Sequence, residues 1–180
     1  MTINRIMVAL ALILMLAQPV LASSDLIFII DDVLLELDPT IPYSQTAKEL
    51  LLLTAAVESD CGTADMTKQK KSIGVFQIKP STLTETYQWA CDRMMLGWKL
   101  DQLKEKSEVH FHAAIARIYY HRMAKLPSVR WVKGGKGKIE EVYIPTLAAI
   151  WKSSYNTYLG DGTIEVAVTK YKRHYWGRSY

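Results

Sequence analysis

The sequence is poor in the residue sets from which most site chemistries are assembled. Its 180 residues contain two cysteines, Cys61 and Cys91, and four histidines, His110, His112, His121 and His174. Their spacing fits no metal-ligand pattern, so no metal centre is expected. There is no base-reading motif, and the lysine-glycine run Lys133–Lys138 is short, so nucleic acid is not an expected partner. No internal repeat is visible. Strand candidates do not alternate with helices, which argues against a parallel α/β fold. The apolar run Ile6–Ala17 spans 12 residues, against roughly 20 for a helix that crosses a bilayer.

What is present suits one globular domain. Apolar residues make up 49% of the chain and charged residues 22%, enough for a core and too apolar for wholesale disorder. Arg5, the apolar run, Gln18-Pro19 and Val20-Leu21-Ala22 follow the layout of a secretory signal peptide over residues 1–22, cut after Ala22. An uncleaved anchor is the alternative. Cleavage leaves residues 23–180 as the mature domain, exported to a periplasm or the medium, with no stable membrane span. The net charge of +4 falls to +3 with the loss of Arg5, a mild basic bias that suits an anionic polymer such as a cell wall. Export also permits a disulfide between Cys61 and Cys91. It would close a loop of about 30 residues and contribute roughly 3–4 kcal/mol on the chain-entropy model; two buried thiols fit the sequence equally well.

The pattern along the chain is mainly α, with at most one short β element. Residues 25–37 place Leu26, Ile30, Val33, Leu34 and Leu37 on one helical face. Asp38-Pro39 and Pro42 end that helix. Ser44 is an N-cap for a helix over 45–60, whose centre, Leu50–Leu53, is apolar all round and reads as buried in the middle of the domain. Gly62 is its natural stop. Residues 63–71 read as a lysine-rich loop and 72–78 as a short strand or hairpin edge. A helix follows from Pro80, then an irregular segment over 92–106. Ser107 caps a helix over 107–125 with Val109, Ala113, Ala116, Tyr120 and Met123 near one face. Residues 128–143 read as irregular. A helix starts near Pro145, and Thr163 caps the last one, 164–175.

Glu58 stands out because it ends the apolar helix. A carboxyl group that loses hydration has its pKa raised, and a proton held near neutral pH makes it a general acid. A solvent-facing glutamate in a last helical turn is the plain alternative, and Asp60 shows that this end is polar. Asp60 should point to another face, while Asp65 could approach through the loop.

Three segments carry a resemblance. "AAVESDCG" (55–62), then "GVFQIKPST" (74–82), then "LAAIWKSSYN" (147–156) resemble, in order, the catalytic core of the soluble-type (SLT) lytic transglycosylases, over about residues 45–160. "IWKSSYNTYLGDGT" is similar to small phage- or prophage-encoded lysozyme-like proteins. The chain departs from the family in lacking Asn-Pro-x-Ala after the glutamate and in carrying Thr157, not Ala-Gly, after Tyr155-Asn156.

The resemblance implies a lysozyme-like (goose-type/SLT) helical domain acting on peptidoglycan glycan strands without a cofactor. Glu58 would protonate the glycosidic oxygen and then take the proton of the C6 hydroxyl of N-acetylmuramic acid, giving a 1,6-anhydro product. This accounts for the lack of an evident second carboxylate, which a two-carboxylate glycosidase needs. Ser59, Gln77, Tyr155 and Asn156 would bind substrate. Ser59 could equally cap the helix and Tyr155 could equally be core. Trp89, Trp98, Trp131 and Trp151 are candidate sugar platforms or packing residues. A muramidase that uses water, or a non-catalytic glycan-binding or assembly protein on the same fold, are the alternative functions.

Overall fold

A computed structural model of the protein describes residues 23–62, 72–123, 136–155 and 163–175, with the side chains of 136–143 aside. Among the described residues there are seven helices. They are α1 (Ser23–Leu37), α2 (Gln45–Ser59), α3 (Pro80–Met94), α4 (Gly97–Lys106), α5 (Glu108–Met123), α6 (Lys136–Ser154) and α7 (Ile164–Tyr175). The fold is mainly α. None of these helices is long and apolar enough to cross a membrane, and the described residues bring together no group of metal-ligating side chains.

The apolar stripe of α1 is buried as its spacing predicts: Leu26, Ile30, Val33, Leu34 and Leu37 all lie in the core. The helix stops before Asp38-Pro39, where a further turn would lose a backbone donor. Ser44 accepts the Ala47 N–H at 3.3 Å and starts α2. That helix is the axis of the fold, packed by α1, α5, α6 and α7. Leu50 to Leu53 are all fully buried, one on each side of the helix. Each such side chain contributes roughly 1.5–3 kcal/mol by leaving water, and this surrounds α2 rather than leaving it a solvated face.

Two segments read as irregular are helical. Within 92–106, α3 runs to Met94, Met95 turns left-handed (φ 55°) and α4 begins at Gly97. Only Leu100 and Leu103 of α4 are buried, too sparse a stripe to stand out as periodic. Gly97 allows the α3–α4 junction to close, because a Cβ there would lie 3.1 Å from Cys91 Sγ. Helix α6 begins at Lys136, not near Pro145, and carries that proline inside it. The glycines before it and the missing N–H of Pro145 both signal a break locally, yet the helix runs through. Elsewhere Ser107 accepts the His110 N–H at 3.2 Å and Thr163 accepts that of Val166 at 3.2 Å, so both caps stand as read. On α5, Ala113, Ala116 and Tyr120 are buried, while Met123 is exposed at the helix end.

Residues 72–78 form a hairpin turn closed by one antiparallel bridge between Ile73 and Ile78, with N–H to carbonyl distances of 2.9 and 3.0 Å.

Candidate active site

The site begins where α2 stops. After Ser59 the backbone turns left-handed at Asp60 (φ 52°) and Cys61 (φ 57°), ahead of Gly62 (φ 84°). The Cys61 N–H reaches back to the Ala55 carbonyl at 3.0 Å, and the Gly62 N–H to that of Ser59 at 3.0 Å. The stop is thus made two residues before the glycine that marks it in the sequence.

Ser59 is buried. Its hydroxyl donates to the Val75 carbonyl at 2.6 Å, has the Ala55 carbonyl within 3.2 Å, and accepts the Gly62 N–H at 2.8 Å. It therefore ties the end of α2 to the hairpin turn. The turn itself depends on Gly74, whose φ is +69° and whose missing side chain leaves room for His112: a Cβ there would lie 2.3 Å from the imidazole Nδ1. Gln77, also left-handed (φ 47°), folds its amide back so that Nε2 donates to the Gly74 carbonyl at 2.7 Å. Tyr155 donates to the Phe76 carbonyl at 2.7 Å. The carbonyls of Gly74, Val75 and Phe76 each accept from one side chain, of Gln77, Ser59 and Tyr155 in turn, and so α2, the turn and the end of α6 become one unit.

Ser59 and Gln77 are turned inward: the Ser59 hydroxyl donates to the Val75 carbonyl, and the Gln77 amide nitrogen adds a second donor to the Gly74 carbonyl, which also accepts the Gln77 backbone N–H at 3.0 Å. Tyr155 does the same from α6. They shape the site rather than project from it. Asn156, Trp131 and Asp65 lie outside the described residues, as does the lysine-rich loop.

Glu58 stands at the centre of this unit. It is half-buried, and loss of hydration raises its pKa above the ordinary 4.5. Its place in the last turn of α2 adds to this, since the negative end of the helix dipole disfavours a second negative charge. Two groups oppose the shift. The Trp151 indole N–H donates to Glu58 Oε1 at 2.9 Å. Lys170 of α7 adds positive charge nearby, with its ammonium donating to the Val57 carbonyl at 2.8 Å. Behind Glu58 stand Tyr120 and Tyr155, stacked with ring centroids 5.4 Å apart; Tyr119 meets Tyr155 edge-on at 5.5 Å. Tyr120 and Thr54 share a hydrogen bond of 2.7 Å. Burial lifts the hydroxyls of Tyr120 and Tyr155 well above the usual phenol range, so both stay protonated.

Asp60 points elsewhere, as its position on α2 predicts. Its carboxylate pairs with His174 at 2.8 Å and Arg173 at 3.5 Å, and the His174 hydrogen bond holds its pKa below the ordinary value. Among the described residues no acidic group acts on Glu58.

The tryptophans separate. Trp151 is fully buried, which removes it as a sugar platform; its role is the hydrogen bond to Glu58. Trp89 is half-buried beneath Arg122, and Trp98 is exposed beside Lys99. The cysteines are not joined to each other. Cys61 faces α7, with its sulfur 3.0 Å from the Tyr175 hydroxyl, and Cys91 lies against Gly97 of α4. The two thiols pack against different helices.

Sequence reasoning missed Trp151 as a partner of Glu58, and missed Lys170 and Tyr120 altogether. Tyr120 sits in an apolar stripe that reads as packing, and no local spacing links residue 58 to 151 or 170. No family model, curated protein or solved structure matches this chain.

Proposed function

We propose that the protein is an exported, lysozyme-like lytic transglycosylase that cleaves the bond between N-acetylmuramic acid and N-acetylglucosamine in peptidoglycan. The observation that carries this reading is the desolvated Glu58, anchored by Trp151 and set beside a turn whose three carbonyls are tied down by Ser59, Gln77 and Tyr155.

A carboxyl group with a raised pKa keeps its proton near neutral pH and delivers it to a leaving oxygen. The glycosidic bond breaks in that step and the substrate's own N-acetyl oxygen bonds to C1 in its place; the carboxylate then removes the proton of the C6 hydroxyl, whose oxygen closes onto C1 and releases the N-acetyl oxygen. The enzyme ends with the proton count it began with, and no second carboxylate is required. The engagement of Asp60 with His174 and Arg173 favours this one-acid chemistry over the two-carboxylate arrangement of most glycosidases. The basic bias of the chain favours an anionic polymer.

The test uses purified sacculi. The mature protein releases soluble muropeptides, while Glu58→Gln sediments with the sacculi equally well but releases none. Equal release by both would remove Glu58 from the chemistry.

A further inference from the structure

Helices α6 and α7 each place one donor on the last turn of α2. From α6, Trp151 reaches Glu58 Oε1; from α7, Lys170 reaches the Val57 carbonyl, one residue before the glutamate. Both contacts have a chemical meaning beyond packing. An indole N–H can donate and never accept. Oε1 must then be an acceptor in every state of the carboxyl, so in the neutral acid the proton sits on Oε2. The Val57 carbonyl lies in the last turn, where carbonyls lack intrahelical partners. The N–H that would normally serve it, from Cys61, is taken by Ala55. Lys170 fills that vacancy and brings a full positive charge to the negative end of the helix.

We propose that Trp151 and Lys170 are positioning residues for Glu58: Trp151 assigns the acidic proton to Oε2, and Lys170 stabilises the carboxylate left when that proton is transferred. The proposal rests on the reading of Glu58 as the acid. In the transfer the Oε2–H bond breaks, its electron pair stays on the carboxylate, and the proton goes to the glycosidic oxygen. The indole hydrogen bond strengthens as Oε1 becomes charged. Both residues therefore favour the state after proton release, while burial favours the state before it. That balance keeps the acid strong enough to give its proton and basic enough to take the next one.

The other titratable groups around Glu58 leave this assignment intact. Tyr120 on α5 and Tyr155 at the end of α6 remain neutral phenols. Asp60, just past the end of α2, is held by His174 and Arg173 of α7.

The test is a carbon-13 NMR titration of the Glu58 carboxyl in the full-length mature protein. Trp151→Phe removes the donor and keeps an aromatic ring. Lys170→Gln removes the charge but keeps a donor for the Val57 carbonyl, and Lys170→Arg keeps both. The Glu58 midpoint should move up in Trp151→Phe and in Lys170→Gln and stay in place in Lys170→Arg, with thermal stability of the two Lys170 variants near wild type. On sacculi, the alkaline limb of the rate profile should follow the midpoint, and Trp151→Phe should fall roughly ten- to a hundredfold in rate. An unmoved midpoint in both Trp151→Phe and Lys170→Gln overturns the proposal. A wild type that titrates as described yet releases nothing from sacculi defeats the enzymatic reading instead, so the two failures are told apart. Lys170→Gln covers the case in which Trp151→Phe does not fold.

Discussion

At position 58 a carboxyl group is kept where its charged form is poorly accommodated. Burial removes water from it, and the end of α2 surrounds it with carbonyl dipoles. The consequence for stability has a definite sign. Its folded pKa lies above the unfolded value near 4.5, so between the two values the native state holds a proton that the unfolded chain has lost. Stability therefore falls as pH rises from about the unfolded value through the folded one, then levels off. Glu58→Gln keeps the acceptor for Trp151 and removes the charge. Melting curves should show the variant more stable than wild type at neutral pH and nearly equal to it near pH 4. A variant less stable by the same margin at both pH values would contradict the burial argument. The neighbouring Ser59 shows what a local reading leaves out. Its place beside the acid is legible from "ESDCG", but its task of holding the Val75 carbonyl depends on a turn residue 16 positions away.

At the scale of elements, the hairpin turn 73–78 carries the most constraint per residue. Gly74 has both a left-handed backbone and an imidazole where a side chain would start. The left-handed conformation alone costs roughly 1–2 kcal/mol for a residue with a Cβ, and the His112 overlap adds to it. Gly74→Ala should lower stability by about 2 kcal/mol or more, read from denaturant midpoints. It should also lower glycan release, because displacing the turn moves the carbonyls held by Ser59 and Tyr155. A loss under about 0.5 kcal/mol would mean the turn adapts freely. Helices with dense apolar stripes or polar caps, α1, α2, α5 and α7, are legible in the sequence. Those that failed, α4 and the first part of α6, have few buried side chains or cross Gly and Pro signals. In such segments neighbouring helices decide the conformation, and local propensity carries little weight.

Over the whole molecule, α2 is an apolar axle whose last turn carries the acid, and the rest of the bundle positions groups around it. The hairpin turn, α5, α6 and α7 each contribute one or more contacts there. The turn meets the end of α2 through Ser59, and α6 meets it through Trp151 at Glu58. Nothing in the sequence foretold that α7 would bring Lys170, since that contact spans 113 residues and arises only when helices pack. The same long-range packing sets Cys61 against α7 and Cys91 against Gly97 of α4, neighbours that the spacing of the two cysteines could not disclose. The central proposal is that one acid, with no carboxylate partner among the described residues, breaks the glycan strand by internal ring closure. The most direct measurement is the mass of the muropeptides released from purified sacculi by the wild-type protein. Products ending in 1,6-anhydro-N-acetylmuramic acid, each one water lighter than the hydrolysed form, are the predicted result. Products carrying the added water at a reducing end would contradict it.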